Sequence, residues 1–232
     1  MSQLSVFRNE NKYLLTYDEA ASLKQKLSKI LPLDSYSKNG PYLVRSLYLD
    51  SVGDGDFHEK MAGTEIRKKI RLRVYSPDDT SCKLEVKQKN GDLQHKVSLW
   101  ITRDEAIAVS HGDFGVLSAY FDRYSDAPYI YTELVSGIYR PKALVEYDRF
   151  AFMHDLFNTR ITFDTNVRSS ESCFELFEKQ AGCTPVFNNM AVLDVKYNDV
   201  LIDDISRILR SYNLTRTSFS KYCLSRKVYF DL

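Results

Sequence analysis

The sequence predicts an α+β protein built on an antiparallel β-barrel that is accompanied by amphipathic helices. At least five predicted strands carry charged residues on one face and apolar residues on the other. Several amphipathic helices accompany them, and each needs an apolar sheet surface to cover. Aromatic residues make up 13% of the 232 residues, which favours a strand-rich fold.

Residues 66–75, IRKKIRLRVY, show the strand pattern most clearly. Read as a strand, they place Arg67, Lys69, Arg71 and Arg73 on one face and apolar side chains on the other. Four unpaired cations cannot be enclosed in a dry core, because each would cost several kcal/mol. Taken alone, the stretch fits an outer strand with a solvated basic face, so the rest of the chain must decide.

The other elements follow from periodicity and capping signals. Thr16 and Thr102 each open a capping box with a glutamate three residues later, which predicts that a helix begins after each. Strands are predicted over residues 7–15, 42–50, 66–75, 82–89, 96–102, 143–152, 159–167 and 191–197. Further helical segments are predicted at 113–140 (interrupted by Pro128), at 171–181 and at 200–209.

Composition narrows the class of partner. Thirty-two basic residues against 31 acidic ones give no excess charge that would predict a nucleic-acid partner. Four cysteines and four scattered histidines show no zinc-binding spacing, and they favour a reduced, cytoplasmic setting. We also expect no signal peptide and no membrane-spanning segment, since no run of about eighteen apolar residues occurs.

Two arrangements of the charged faces fit this pattern. If the helices pack outside the barrel, the charged faces point into it, as in barrels that enclose a ligand. A cationic interior needs an anion, and a chain of phosphates would neutralise cations on several strands at once. Interspersed acids then suit a hard divalent metal that bridges phosphate oxygens. In the alternative arrangement the charged faces point to solvent and the helices form a separate layer.

A series of short motifs resembles one known family. The motif R-x-E-x-K-Y at residues 8–13 is followed in order by RSLYLD, IRLRVY, LEVKQK, EYDRFAF, RITFD, LDVKY and SFSKY. Each motif is weak alone, but the ordered series resembles the VTC domain family of the CYTH-like, or triphosphate tunnel metalloenzyme, superfamily. The resemblance implies a single domain over residues 1–232 and a tunnel barrel of about eight antiparallel strands.

The resemblance also implies a function and a set of site residues. In the eukaryotic member of the family, the domain moves the terminal phosphate of ATP onto a growing polyphosphate. The vacuolar relatives work beside membrane segments, which leaves a membrane-protein partner open. Catalytic contacts to phosphate oxygens are expected from Lys12, Arg71, Arg73, Lys87, Arg149 and Arg160. Further phosphate-binding residues are expected at Arg8, Arg45, Lys89, Lys96, Lys196 and Lys221.

The implied cofactor is a divalent metal, Mn²⁺ or Mg²⁺. Asp194 occupies the acidic position of the metal-holding motif, where the family usually has Glu. Glu10 and Glu85 are further candidate ligands, although each could instead pair with neighbouring cations; for Glu85 these are Lys83 and Lys87.

Three functions are therefore carried forward. The first is metal-dependent synthesis of polyphosphate from ATP. The second is hydrolysis of triphosphate, polyphosphate or a nucleoside triphosphate, with water as the acceptor. The third is a non-catalytic polyphosphate-binding module. Phosphoryl transfer needs alignment and charge rather than a protein nucleophile, so the same residues would serve all three.

Overall fold

The computed structural model describes residues 8–91, 93–218 and 220–230, and its fold is α+β as predicted. The described strands are β1 (Arg8–Thr16), β2 (Tyr42–Asp50), β3 (Ile66–Val74), β4 (Ser81–Asn90), β5 (Leu93–Thr102), β6 (Arg140–His154), β7 (Thr159–Ser170), β8 (Thr184–Pro185), β9 (Met190–Asn198) and β10 (Arg216–Thr217). The described α-helices are α1 (Tyr17–Leu27), α2 (Gly55–Ala62), α3 (Arg103–Ser110), α4 (Ala127–Ser136), α5 (Asp203–Arg210) and α6 (Lys221–Phe230).

The strands form a large antiparallel sheet. Eight of the described strands are nine or more residues long, which matches the predicted eight, whereas β8 and β10 have two residues each. The hydrogen-bonded order ends on β10 and on β5, so hydrogen bonds between described strands do not close the sheet into a barrel.

The chain divides into two compact units. The first contains the described parts of residues 1–43, 147–167 and 187–219, and the second contains those of residues 44–146, 168–186 and 220–232. Strands β6 and β7 contribute residues to both units. One domain over residues 1–232 stays a prediction.

In the first unit the strand order is β10–β1–β9–β7–β6. One face of these strands is apolar, and helices α1 and α5 cover it. The buried cluster joins Leu15, Leu193 and Phe163 of the strands to Leu23 of α1 and Ile205 of α5. The helices therefore pack on the apolar face, as the alternating pattern predicts.

In the second unit the strand order is β6–β2–β3–β4–β5. Its apolar face is covered in the same way by α3, α4 and the 3₁₀ segment Phe114–Tyr120. The core brings Ile70, Leu84 and Leu99 of the strands together with Val109 of α3 and Ile130 of α4. These helices thus cover the apolar side of the strands in each unit, whereas α6 of the second unit contacts the charged side.

Helix α2 was not predicted, because its sequence lacks a local capping signal. Its N-cap residue Asp54 has a positive φ of 56° and makes no side-chain capping bond. The buried Asp50 carboxylate instead accepts hydrogen bonds from the amides of Asp56 (3.0 Å) and Phe57 (2.9 Å). The hydroxyl of Tyr222 in α6 donates to the same carboxylate at 2.6 Å, which ties α6 to the end of β2.

Two predicted helical features are wrong. Residues 171–181 form turns and bends rather than a helix. There the carbonyls of Leu176 and Glu178 accept hydrogen bonds from Arg45, whereas in a helix such carbonyls bond to the backbone. Pro128 does not interrupt a helix but stands in the first turn of α4, where a proline costs no hydrogen bond.

Candidate functional site

Strands β3, β4 and β5 of the second unit carry a strongly basic surface on the side opposite the core, which we call the cationic face. Its members are half-buried or exposed, apart from the buried Arg73 and Glu85. Eight cations belong to it, and Glu85 is the one carboxylate on this face of the three strands as described. The cations are Arg67, Lys69, Arg71, Arg73, Lys83, Lys87, Lys89 and Lys96.

The register of the strands places like charges directly opposite one another. Lys87 faces Lys69 on one side and Lys96 on the other, and we call these three residues the lysine row. Like charges at directly opposed positions destabilise a sheet. The two further like-charged pairs are Arg67 with Lys89 and Arg73 with Lys83. An anion bound along these rows would remove that repulsion.

The buried Glu85 carboxylate organises the centre of the cationic face. Arg71 lies directly opposite and places Nε and Nη2 each 2.7 Å from Oε2. Lys96 reaches Oε1 at 2.5 Å, and Arg73 Nη1 lies 3.9 Å from Oε2. Burial alone would raise the pKa of Glu85, but these three cations hold it well below its usual range.

These contacts change the expected partners of Glu85. The sequence predicts Glu85 either as a metal ligand or as a partner of Lys83 and Lys87, its neighbours two positions away on β4. The structure instead pairs it with cations from adjacent strands. Directly opposed side chains approach to about 5 Å, whereas same-face neighbours along one strand are about 6.6 Å apart.

Tyr48 of β2 is a member of this site that the motifs did not single out. Its hydroxyl accepts a hydrogen bond from Arg71 Nη1 at 3.3 Å. Burial would raise the pKa of this phenol, but Arg71, Lys69 and Arg73 lower it to about 8. The sequence held a usable signal, because Tyr48 lies opposite Arg71 once the two strands pair.

The start of α6 meets the lysine row. Lys69 donates a hydrogen bond to the Ser220 hydroxyl, and the ring of Tyr222 stacks on Tyr48 with centroids 5.0 Å apart. Burial lowers the pKa of Lys69, and nearby Lys60 and Arg71 lower it further. Lys221 is half-buried at the first position of α6. The motif around Lys221 is therefore joined to the cationic face through its neighbours.

Arg45 lies on the apolar side of β2, opposite the side that carries Tyr48. It shares the face of β2 that carries Leu47 and Leu49, and it is 2% exposed. Its Nε donates to Glu146 Oε2 at 2.8 Å, and its Nη1 donates to the Leu176 carbonyl at 3.1 Å. These contacts are those of a buried structural ion pair.

Strands β1, β9 and β7 of the first unit carry a second polar face with mixed charges. Glu10 pairs in register with Lys196, and Lys12 pairs with Asp194. Lys196 Nζ lies 2.9 Å from Asp194 Oδ2 and 3.5 Å from Glu10 Oε1. Lys12 Nζ lies 3.3 Å from Asp194 Oδ2 and also contacts Glu10. Burial would lower the pKa of Lys12, but Asp194 and Glu10 raise it.

Two buried oxygen atoms on this second face have no hydrogen-bond partner in the part of the chain that the structure describes. They are Asp194 Oδ1 and Thr162 Oγ1, and their residues face each other across β9 and β7. Burying a polar oxygen without a partner is costly, so such atoms usually have a ligand or water. This pair of oxygens is the best position for a cation in the first unit.

Arg149 and Arg160 are each held by a carboxylate. Arg149 makes a two-pronged contact to the buried Asp164, with Nε at 2.7 Å and Nη2 at 2.9 Å. Burial would lower the pKa of Arg149, but Asp164 raises it well above its usual value. Arg160 Nη2 lies 3.0 Å from Asp34 Oδ2 and 3.3 Å from the Tyr42 hydroxyl.

The residues fit a metal that takes part of its ligands from phosphate and water. In the described ranges, no three His, Cys, Asp or Glu side chains come together as a metal cluster. Asp194 and Glu10 supply two carboxylates, and the unpartnered Asp194 Oδ1 supplies a hard oxygen. Mg²⁺ is commonly bound through one or two carboxylates plus substrate phosphates. Glu85 fits less well, because cations occupy both of its oxygens.

Two remaining expected residues are placed as follows. Lys89 is half-buried near the end of β4 and faces Arg67. The backbone of Arg8 pairs with Asn198, while its side chain lies outside the described part of the chain. Among the described residues, no helix is long and apolar enough to cross a membrane.

Comparisons with known proteins place these faces in context. The sequence matches the model of the family described as VTC domain over residues 7–230. A solved structure from Bacillus halodurans, described as a candidate adenylate cyclase, has a TM-score of 0.50 at 10% identity and covers 92% of this chain and 95% of its own. A protein from Pyrococcus horikoshii OT3 has a TM-score of 0.48 at 12% identity, with 97% and 99% covered. No curated protein sequence matches.

Proposed function

The chain belongs to the VTC domain family of the CYTH-like triphosphate tunnel superfamily, and from this we propose that it synthesises polyphosphate from ATP. The cationic face is the proposed phosphate-binding surface of the second unit. The observation that carries the proposal is the lysine row, in which Lys69, Lys87 and Lys96 stand directly side by side. A polyanion bound there would contact several ammonium groups at once.

The residues of the cationic face would have different roles in binding and positioning the phosphates. Lys87 and Lys96 offer ammonium groups as point charges, and Lys89 extends the same surface. Arg71 and Arg73 offer planar forks that match phosphate oxygens. Glu85 fixes the Arg71 guanidinium by taking its Nε and Nη2, so it acts as a positioning residue. These charges would stabilise the negative charge that spreads over the transferred phosphoryl group.

In the first unit, Lys12, Lys196, Arg149 and Arg160 are the proposed phosphate contacts. Asp194 and Glu10 would hold Mg²⁺ or Mn²⁺, and Asp194 would use its unpartnered Oδ1. When bound, the metal neutralises charge on the donor's phosphates and so makes the leaving group better. Lys221 is proposed to lie along the path of the product.

The proposed reaction balances without a protein nucleophile. A terminal oxygen of the polyphosphate acceptor forms a bond to the γ-phosphorus of ATP. The bond between that phosphorus and the β,γ-bridging oxygen breaks, and ADP leaves with the electron pair. The protein's part is to align donor and acceptor and to supply positive charge.

Incubation of the protein with ATP and Mn²⁺ or Mg²⁺, followed by gel electrophoresis of the products, tests the proposal. We expect chains that lengthen with time and ADP released in step with them. The Lys87→Gln variant should lose this activity, whereas Lys29→Gln should keep it, because Lys29 is exposed after α1 in the first unit. Release of orthophosphate without chain growth would contradict synthesis and would support hydrolysis as the function.

A second candidate function is a polyphosphate-binding module without turnover. It is favoured by the ion pairs of Glu10 and Asp194, which Lys12 and Lys196 already engage. Tight binding of tripolyphosphate with neither chain growth nor phosphate release, under any metal condition, would select this function.

We further propose a cytoplasmic setting for this reaction. All four cysteines are free: Cys82, Cys173, Cys183 and Cys223. Free thiols suit a reducing compartment. A membrane protein that receives the product is the proposed partner, and co-purification from a detergent extract would test it.

A further inference from the structure

Trp100 stands out on the cationic face because it is aromatic, uncharged and exposed. It is the only tryptophan of the chain, and 53% of its surface is accessible. Its strand neighbours Leu99 and Ile101 point into the core, so alternation places Trp100 on the charged side of β5. Among the described residues of β3, β4 and β5, Trp100 is the one aromatic side chain on the cationic face.

Trp100 belongs to the row of the cationic face that also contains Arg73 and Lys83. It lies directly opposite Lys83, which in turn lies opposite Arg73. The Lys83 ammonium sits over the indole ring, 5.5 Å from its centroid. Lys83 is therefore close enough to the ring for a cation–π contact, and its positive charge would also attract a phosphate group.

The distance from Trp100 to the lysine row suits a nucleotide. Trp100 and Lys96 are four residues apart on β5, which separates their rows by about 13 Å. A ribose and a triphosphate chain can bridge such a distance. A donor with its phosphates on the lysine row and beside Arg71 would then bring its nucleobase to the indole ring.

We infer that Trp100 contacts the nucleobase of a nucleoside triphosphate donor and lets the site prefer such a donor over bare triphosphate. The inference rests on the proposed function, since it assigns the base end of that donor. Stacking of a base on an aromatic ring tolerates every base, because each base has a π-face. The preference should therefore separate nucleotides from inorganic triphosphate, and it should separate ATP from GTP only weakly.

The single tryptophan makes this contact directly observable. Intrinsic tryptophan fluorescence reports on Trp100 alone, and titration with ATP should quench it. Titration with inorganic tripolyphosphate at equal occupancy should quench it far less, since no base reaches the ring. Occupancy is fixed independently by calorimetry of both ligands in the same Mg²⁺ buffer.

Substitution separates a base contact from a general loss of charge or fold. Trp100→Ala should weaken ATP binding about tenfold, the size expected for loss of one stacked base, and leave tripolyphosphate binding unchanged. Trp100→Phe should restore most of the ATP affinity, because it keeps an aromatic face. Circular dichroism of each variant checks that the fold is intact.

The outcomes distinguish this inference from the proposed function. Equal weakening of ATP and tripolyphosphate by Trp100→Ala, or equal quenching by the two ligands, would overturn the base contact and leave phosphate binding standing. Failure of the unmodified protein to bind either ligand would overturn both.

Discussion

Lys87 lies directly opposite Lys69 in the β3–β4 ladder, so the two lysine side chains are next to each other on the same face of the sheet. Lys96 continues the same row on β5. Lys87 therefore contributes to the positive charge of this row, and its loss can be followed separately in ligand binding and in stability.

Replacing Lys87 should separate these two effects. We expect Lys87→Gln to lower the affinity for tripolyphosphate about tenfold, because a charge-assisted hydrogen bond to phosphate is lost. The same change should alter the free energy of unfolding of the ligand-free protein by under about 0.5 kcal/mol, because substitutions outside the core usually change stability little. Calorimetry and urea unfolding give the two values.

Lys29→Gln serves as the matched control for Lys87→Gln and should leave both quantities unchanged. A Lys87→Gln variant that binds normally, or that is clearly less stable, would show that Lys87 supports the fold rather than the ligand.

Glu85 should make stability depend on pH. The cations around Glu85 lower its folded-state pKa, so its contribution is full above the unfolded-state pKa of about 4.3 and is lost as pH falls below it. We expect Glu85→Gln to cost about 2 kcal/mol at pH 7, and the gap to wild type to narrow below about pH 4. Urea unfolding across this pH range measures it.

The exposed pair of Asp204 and Arg207 provides the comparison for Glu85. Asp204→Asn should change the unfolding free energy by under about 0.5 kcal/mol at either pH. A Glu85→Gln cost that does not change with pH would mean that the charge of Glu85 is not what stabilises the sheet.

Asp194 should be needed for metal binding. We expect Asp194→Asn to abolish Mn²⁺ binding in the presence of tripolyphosphate, because a neutral amide is a poor ligand for a hard cation. Asp194→Glu, which keeps a carboxylate at this position, should keep the binding. Electron paramagnetic resonance of Mn²⁺ reports it without requiring turnover.

The exposed residue Asp199 is the control for Asp194, and its left-handed backbone conformation (φ 52°) tolerates asparagine. Asp199→Asn should bind Mn²⁺ normally. Unchanged Mn²⁺ binding in Asp194→Asn would remove Asp194 from the metal site and leave the ion pair with Lys196 as its role.

Arg45 should prove structural. We expect Arg45→Met to lower the free energy of unfolding by about 3 kcal/mol, because Glu146 loses a buried partner and, among the described residues, keeps its ion pair with Arg168. The folded fraction should bind tripolyphosphate as wild type does. A large loss of affinity with little loss of stability would instead restore the phosphate-binding role implied by the motif.

The alternation of side chains predicted most of the sheet and most members of the cationic face. Arg45 is an exception. Its motif implies phosphate binding, but Arg45 shares its parity along β2 with Leu47 and Leu49, which are buried. The same rule would have placed it on the apolar side.

The parts that could not be predicted depend on contacts distant in sequence. Helix α2 is capped by Asp50 from the preceding strand, so its own residues carry no capping signal. The choice of Arg71 and Lys96 as partners of Glu85 depends on strand register, which a single strand does not specify.

The cationic face also has a consequence for how the chain folds. A slip of one residue in the pairing of β4 would turn Lys83, Lys87 and Lys89 into the core and Leu84 and Val86 out of it. That slip would bury three charged side chains and expose two apolar ones, so the alternation of β4 strongly specifies its register. Lys96 on β5, which ends the hydrogen-bonded order, also discourages pairing with another chain. The charges that are proposed to bind phosphate thus also help to specify the register of the sheet and to discourage pairing with another chain.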